Sequence, residues 1–170
     1  SLKEGVELGD LVITTGAVRL ENTSTFFVPE GYPAVASYEV VIALLSAADG
    51  LGLRHHAGLT ATAPGFYGAQ SRHVPGFPPR FPDLPGSLAK IGVLNFEMEI
   101  SSLLTLASVG RVRAGAVCAV YAQRNANRFI TPQRKDRAEL DCVRTGLAAF
   151  ERLDHMDQWK RQYGKTHWHV

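Results

Sequence analysis

The segment GFYGAQSR, residues 65–72, carries three side chains that could act together on one ligand. Phe66 offers a flat aromatic ring, Gln70 a carboxamide that both donates and accepts hydrogen bonds, and Arg72 a guanidinium that only donates. Polar loops are common because loop backbone meets water, so Phe66 could equally fill the core while Gln70 and Arg72 are solvated. The segment therefore needs support from the rest of the chain before it indicates chemistry.

Two further polar clusters follow apolar, strand-like runs. One is Glu97–Met98–Glu99 and the other is Gln123–Arg124. In an α/β sheet, ligands bind beyond the carboxyl ends of the strands, so we expect these clusters and the 65–72 segment to converge. Together they supply a stacking surface, a carboxamide, two guanidinium groups and a carboxylate that accepts from hydroxyls. This set is suited to a base joined to a sugar.

Longer stretches around these clusters closely resemble the uridine phosphorylase branch of the nucleoside phosphorylase family. The pattern F-Y-x-x-Q-x-R followed by N-x-E-M-E is quite specific to that branch, and the resemblance runs from about Gly9 to the last helix. The stretches that carry it are GDLVITTGAVRLENTSTFFVPEGYPAVASYEV, GFYGAQSR, NFEMEISSLLTLAS and RAGAVCAVYAQRNANRF.

The resemblance implies roles at the base. Phe66 would lie against the pyrimidine ring, Gln70 would bond its O2/N3 edge, and Arg72 would donate to O4. Arg124 would support the same edge through water. Donors aimed at the oxygens of a departing base stabilise the transition state more than the ground state, so Gln70 and Arg72 are candidate catalytic residues.

The resemblance also implies roles at the sugar. Glu99, the third candidate catalytic residue, would hold the 2′- and 3′-hydroxyls, and Met98 would pack against the ribose. Tyr121 and Ala122 would line the base pocket where relatives usually carry aliphatic side chains, which changes the shape of that pocket. Purine-cleaving relatives place an Asp where this chain has Gln123–Arg124, and its absence favours a pyrimidine substrate.

These roles predict phosphorolysis of a pyrimidine nucleoside to free base and ribose 1-phosphate. Inorganic phosphate would be the co-substrate, no other cofactor or metal would be needed, and the family generally forms trimers of dimers. The alternatives that stay open are a hydrolytic nucleosidase of the same fold, a purine nucleoside phosphorylase, and a catalytically silent nucleoside-binding fragment. Uridine cannot be distinguished from thymidine or deoxyuridine.

The phosphate-binding residues of the family are not found in this sequence. Relatives carry a glycine-rich phosphate loop and phosphate-binding arginines before the equivalent of Gly9, and no glycine-rich helix entry here could replace them. We therefore expect one incomplete domain, residues 1–170, that resembles roughly the last two thirds of such an enzyme. The expected fold is a central mixed β-sheet flanked by helices, without the N-terminal part.

The composition excludes several other classes of protein. The 170 residues are 45% hydrophobic and 20% charged, which is ordinary for a globular domain. The net charge of +2 arises from 18 basic and 16 acidic residues that are well mixed, which disfavours binding to nucleic acid. Apolar runs are too short for a membrane span and the first residues show no signal peptide, so we expect a soluble, cytoplasmic protein.

The elements that position these residues follow from the hydrophobic patterns. Strands are predicted at 11–20, 55–63, 93–96 and 114–122, the last as a strand covered on both faces. Helices are predicted from Ser37 to Gly50 or Gly52, near 87–91, at 100–108, and in a final segment. That final helix presents an apolar face made of Leu140, Val143, Leu147, Phe150 and Leu153 before a polar tail from Asp154. Six of the nine prolines fall at 64–85, which predicts a long, stiff loop.

Three further patterns have structural interpretations. Glu97 and Glu99 could form a pair of glycosidase acids, but at a strand-to-helix junction we expect Glu97 to be structural and Glu99 to bind sugar. His167 and His169 could chelate a metal, although two ligands at a chain end are weak evidence. Cys118 and Cys142 show no metal or disulfide pattern and are expected to be reduced core residues.

Overall fold

The computed structural model describes residues 1–168, and its centre is a five-stranded mixed sheet. The strand order is β2-β1-β3-β4, with β5 also paired to β1. β1 runs parallel to β3 and β3 parallel to β4, whereas β2 and β5 are antiparallel to β1. The strands are β1 (Leu11–Arg19), β2 (Ala34–Val35), β3 (His55–Thr62), β4 (Val93–Glu97) and β5 (Ala116–Ala119), and a separate hairpin pairs β6 (Ala122–Gln123) with β7 (Arg128–Phe129). The predicted mixed sheet is confirmed.

Four α-helices accompany the sheet. They are α1 (Tyr38–Gly50), α2 (Leu84–Lys90), α3 (Ile100–Val109) and α4 (Pro132–Tyr163). The predicted start of the second helix near Ser87 was wrong by one turn. Pro85 lies in the first turn of α2, where a missing backbone N–H leaves no hydrogen bond unmade, so this proline belongs to the helix and not to the loop.

The parallel strands are buried because apolar and β-branched side chains cover both faces. Ile13 packs with the small side chains of α1, while Val12 packs against Leu8 and Leu94 on the other face. Within this core, Thr14 and Thr60 share a hydrogen bond of 2.8 Å, and the Thr60 hydroxyl donates to Asn95 Oδ1 at 2.8 Å. This polar row ties β1, β3 and β4 together in a fixed register.

The prediction of a doubly covered strand at 114–122 was wrong. Only Ala116–Ala119 form β5, all four residues are half-buried, and the strand lies beside β1 in the antiparallel sense. A continuous apolar run is also compatible with a short strand whose side chains are shared between a helix and an open cleft. Its direction matters for the site, because the segment after β5 leaves from the opposite end of the sheet to the segments after β3 and β4.

The last helix differs from its prediction in length and in orientation. α4 is 32 residues long and continues through the segment predicted to be a polar tail. Its buried positions are Ala138, Thr145, Ala149 and Met156, whereas most of the predicted apolar face is open to solvent. The exposed members of that face, called here the α4 stripe, are Leu140, Val143, Leu147 and Phe150, with Phe150 the most exposed at 71%. The small buried side chains of α4 allow it to lie close to α1. This close packing determines which face of α4 is buried.

A buried carboxylate joins α1 to the second half of α4. Glu39 is 4% exposed and accepts hydrogen bonds from Lys160 Nζ at 2.7 Å and 2.9 Å and from Arg113 Nη1 at 2.6 Å. Arg113 also forms a two-pronged pair with Asp157, at 2.9 Å and 2.6 Å. Because a buried charge is costly unless it is paired, this four-residue cluster adds to the apolar packing of α4 on α1 while both carboxyls are ionised.

Among residues 1–168, none of the helices is both long enough and apolar enough to cross a membrane.

Candidate active site

One open cleft of about 540 Å³ brings together every residue that the sequence predicted for the site. It is the space that the ends of β3 and β4 share with β5 and the start of α4. The predicted residues that line it are Phe66, Gln70, Arg72, Met98, Glu99, Tyr121, Ala122 and Arg124. Three separate segments of the chain therefore meet at one surface.

The first segment is a tight turn that follows β3. Residues 68–70 form one turn of 3-10 helix, Ser71 adopts a left-handed conformation with φ 57°, and the Arg72 N–H donates to the Tyr67 carbonyl at 2.9 Å. A left-handed conformation costs a non-glycine residue about 1–2 kcal/mol and so needs support from its surroundings. The turn places Gln70, which is only 5% exposed, and Arg72 in the same cleft.

Arg72 and Arg124 form a pair of like charges at the cleft. The Arg72 guanidinium lies over the Phe66 ring, 4.0 Å from its centroid, and Arg124 Nη2 donates to the Gln70 carbonyl at 2.9 Å. Arg72 Nε and Arg124 Nη1 are buried and have no hydrogen-bond partner within residues 1–168. Burial lowers the pKa of Arg72, and burial together with the neighbouring charge of Arg72 lowers the pKa of Arg124. The cleft thus holds cationic donors with unused hydrogen-bonding capacity.

The second segment is the turn between β4 and α3. The Glu97 carboxylate accepts the backbone N–H groups of Glu99 and Ile100, each at 2.6 Å, and also the Thr62 hydroxyl. These donors engage both of its oxygens, while Glu97 also lines the cleft, so the structural role expected for it stays a prediction. Glu99 lies in the cleft with its carboxylate free of hydrogen bonds and ion pairs to the described residues.

The third segment reaches the cleft by a route that the sequence did not predict. β5 is antiparallel to β1, so Tyr121, Ala122 and Arg124 do not extend from the same end of the sheet as Glu99. The β5 strand itself forms one wall of the cleft, and the bond from Arg124 to the Gln70 carbonyl connects this wall to the first segment. Burial raises the pKa of Tyr121, so its hydroxyl stays protonated in the cleft.

Other residues line the cleft that sequence reasoning did not assign to it. They include polar or small groups from β4, β5 and α4, namely Asn95, Glu97, Cys118, Glu139 and Cys142. Asn95 lies within the NFEME motif, so its position beside Glu97 was a usable signal. The two cysteines are free and half-buried. Cys118 packs against a core cluster as well as lining the cleft, and nothing in the local sequence of either cysteine indicated its place in the cleft.

The histidines of residues 1–168 lie outside the cleft. His55 and His56 are in β3 as predicted, where His56 Nε2 is 2.8 Å from Asp10, and His73 is not among the residues that line the cleft. In residues 1–168 no group of three or more His, Cys, Asp or Glu side chains could hold a metal ion. The suggested metal pair includes His169, which lies outside the described residues.

The known proteins similar to this chain include uridine and guanosine phosphorylases. The chain is 42% identical to the uridine phosphorylase of Thermococcus kodakarensis over 99% of its own length and 60% of that protein. It is 32% identical to the uridine phosphorylase of Escherichia coli over 90% of its length and 62% of that protein. A guanosine phosphorylase of Halorubrum lacusprofundi is 30% identical over 71% of this chain. The chain thus spans about 60% of the length of the uridine phosphorylases it matches most fully.

The model of the phosphorylase superfamily matches residues 1–149, a range that contains both motif-bearing turns and the β5 wall of the cleft. The family match covers the segments that form the cleft, and the similar proteins named above are phosphorylases. The chain therefore belongs to the phosphorylase superfamily.

Proposed function

We propose that the cleft binds a pyrimidine nucleoside and that the chain supplies the base- and sugar-binding residues of a uridine phosphorylase-type pentosyltransferase. The observation that carries the proposal is the pair of half-buried guanidinium groups of Arg72 and Arg124, which line the cleft and each have one buried nitrogen without a hydrogen-bond partner in residues 1–168. Such donors are suited to an electron-rich oxygen that becomes more negative during the reaction.

The chemistry that fits is displacement at the sugar carbon that carries the base. Phosphate oxygen forms a bond to that carbon while the bond to the ring nitrogen breaks, and the base leaves with the electron pair. Charge accumulates on the ring oxygens, where Arg72 and the Gln70 carboxamide donate and Arg124 supports them. The Phe66 ring, 49% exposed, offers apolar surface to the flat base.

The second segment, which is the turn between β4 and α3, supplies the sugar-binding residues. The free carboxylate of Glu99 is an acceptor for two neighbouring hydroxyls, and Met98, 38% exposed, offers apolar contact beside it. A carboxylate near a sugar that develops positive charge also stabilises the transition state electrostatically. Glu99 would therefore contribute both to binding and to the rate.

The residue Gln123, which follows β5 in the chain, favours a pyrimidine base over a purine. Gln123 does not line the cleft, and its side-chain amide donates to the Val6 carbonyl at 3.0 Å. No acid is therefore available at that position to protonate a purine ring. The names of the relatives support the same choice, since the two aligned over 90% or more of the chain that are named above are uridine phosphorylases.

The proposal includes inorganic phosphate as the co-substrate and no further cofactor. By analogy with the family it also includes assembly into a trimer of dimers and a cytoplasmic location. Size-exclusion chromatography with light scattering would measure the assembly state directly.

The function is tested by titrating the chain with uridine in a calorimeter and by following uridine cleavage with and without phosphate. Phosphate-dependent release of uracil supports the proposal. Cleavage without phosphate would instead identify a hydrolase. Binding of uridine without cleavage would support the nucleoside site alone, because the phosphate-binding residues of the family are not found in residues 1–170. Cleavage of inosine but not uridine, or no binding of uridine at millimolar concentration, would overturn the proposal.

A further inference from the structure

We propose that Glu97 is a positioning residue that fixes the Glu99 carboxylate for the two hydroxyls of a ribonucleoside. The inference rests on the function proposed above and goes beyond it, because Glu97 would control how the site distinguishes a ribose from a sugar without these hydroxyls. It concerns a residue that does not itself touch the substrate.

Glu97 lines the cleft, and both oxygens of its carboxylate accept hydrogen bonds within the protein. One oxygen accepts the N–H groups of Glu99 and Ile100 at 2.6 Å each, and the other accepts the Thr62 hydroxyl. Hydrogen bonds to an ionised acceptor are roughly twice as strong as neutral ones, so this turn is held tightly. Turning this carboxylate away from the turn would break these bonds, which favours a positioning role for Glu97.

Thr62 extends the attachment to the end of β3. Its Oγ1 donates to Glu97 and accepts the Ser101 N–H at 2.8 Å, so one hydroxyl connects β3, the turn and the first residues of α3. The Ser101 hydroxyl in turn donates to the Glu21 carboxylate at 2.9 Å. The turn is therefore fixed to the end of β3 by Thr62 and to the segment after β1 by Glu21.

Burial opposes ionisation of Glu21, but hydrogen bonds from Ser24, Ser102 and Ser101 outweigh it and lower its pKa to about 2. Glu21 therefore remains an ionised acceptor at neutral pH. Two carboxylates thus hold the start of α3, one through backbone N–H groups and the other through hydroxyls.

The position of Glu99 depends on the hydrogen bonds that hold this turn more than it would if the Glu99 side chain had bonds of its own. It stands immediately before α3 with φ −131° and ψ −26°, and its carboxylate has no hydrogen bond or ion pair to any residue in the range 1–168. The backbone of the turn therefore sets where its side chain starts, and no described residue holds the carboxylate itself. If the Glu97 bonds are removed, Glu99 keeps its charge but loses its fixed position relative to the cleft.

The test compares uridine with 2′,3′-dideoxyuridine, which lacks both hydroxyls. For Glu97→Ala we expect uridine to bind about tenfold more weakly, while the affinity for dideoxyuridine stays within about twofold of wild type. Thr62→Val, which removes one of the three donors and keeps the side-chain shape, should weaken uridine about threefold. In a Glu99→Ala background, Glu97→Ala should have no further effect on uridine, because the two residues act as one unit.

The matched control is Glu151→Ala, which removes an exposed carboxylate on α4 far from the turn in sequence and should leave both affinities unchanged. A second measurement is the NMR amide proton shift of Glu99 and Ile100. Both should move upfield in Glu97→Ala and in the milder Glu97→Gln, because the charge-assisted bonds are lost or weakened.

The outcomes separate the two proposals. A wild-type chain that binds neither nucleoside contradicts the proposed function. A wild type that binds uridine, with Glu97→Ala or Thr62→Val binding it equally well, contradicts the positioning role alone. An equal loss of both nucleosides also contradicts it, since general damage to the fold would not depend on the sugar hydroxyls. Unshifted amide signals in Glu97→Gln would contradict the hydrogen bonds themselves.

Discussion

The Arg72 guanidinium lies over the ring of Phe66, with its central carbon 4.0 Å from the ring centroid. The two residues are six apart in the chain and face one cleft because the turn between them passes through the left-handed Ser71. The aromatic ring thus contacts a half-buried cation whose buried Nε has no hydrogen-bond partner in the described part of the chain. A donor held this way needs no reorganisation when charge develops on a bound base.

Arg72→Gln should lower the rate of uridine phosphorolysis about 10²–10³-fold, because it removes a preorganised charged donor. Arg80→Gln is the matched control, since its guanidinium lies 4.9 Å from the centroid of the Phe81 ring but does not line the cleft. The measurement is the kcat for uridine cleavage, and an Arg72→Gln enzyme with the wild-type kcat would show that this donor is not used.

The free energy of unfolding should decrease as the pH falls from about 5 to 2. Burial opposes ionisation of Glu39, but Lys160, Arg113 and the Trp168 N–H lower its pKa to about 2, and Arg113 and Lys160 lower that of Asp157 to about 2. Both values lie below the ordinary range near 4 of an unfolded carboxyl. The stabilisation is therefore complete above the unfolded pKa and is lost as the folded groups take up protons.

Glu39→Gln tests that assignment by urea unfolding at pH 7, 4 and 3. The variant should be less stable at pH 7, because Lys160 and Arg113 lose an ionised partner, and its stability should fall less steeply towards pH 3. Glu4→Gln, at an exposed position, should reproduce the wild-type curve. A Glu39→Gln curve parallel to wild type would contradict the role of Glu39 in the acid response.

Gly58→Ala and Gly86→Ala should change stability in opposite directions. A Cβ at Gly58 in β3 would lie 2.7 Å from Leu94 Cδ1 and 3.1 Å from its Cγ, and Leu94 is buried, so overpacking should cost about 1–3 kcal/mol. A Cβ at Gly86 in α2 meets no atom within 4 Å, so alanine should add about 0.5–1 kcal/mol through its higher helix propensity. Thermal unfolding measures the melting temperature of each variant. Equal melting temperatures would contradict the predicted overpacking of Leu94 by a Cβ at position 58.

Iodoacetamide should modify the cysteines of the folded chain slowly at pH 8. Burial raises the pKa of Cys118 to about 12 and also raises the pKa of Cys142, so little reactive thiolate is present. Mass spectrometry should find both modified promptly in urea and slowly under native conditions. Modification of Cys118 at the rate of free glutathione would show that this side of the cleft opens.

The local patterns predicted most of the elements because they depend on neighbouring residues. β1, α1, β3, β4 and α3 were all predicted near their observed bounds, since β-branched runs and helical spacing act over a few residues. The direction of β5 was not predictable in the same way. It depends on which strand Ala116–Ala119 pairs with, and a pairing across a hundred residues leaves no mark in the local sequence.

The same distinction applies to the cleft. Phe66, Gln70, Arg72 and Glu99 were identified from two short motifs, and all four line it. Cys142 was not, because it lies on α4, whose orientation is decided by small residues such as Ala149 packing on α1. The larger apolar residues of α4 predicted the opposite orientation. Helix periodicity identifies a face, but the closeness of packing decides whether that face is buried.

The α4 stripe has a practical consequence for handling the polypeptide. Leu140, Val143, Leu147 and Phe150 present four neighbouring apolar side chains to water, each at least 44% exposed. Salts that are strongly excluded from protein surfaces, such as ammonium sulfate, raise the free energy of exposing such an apolar surface to water. The chain should therefore be retained on phenyl-substituted chromatography media and precipitate at lower salt than a protein of the same small net charge with a polar exterior.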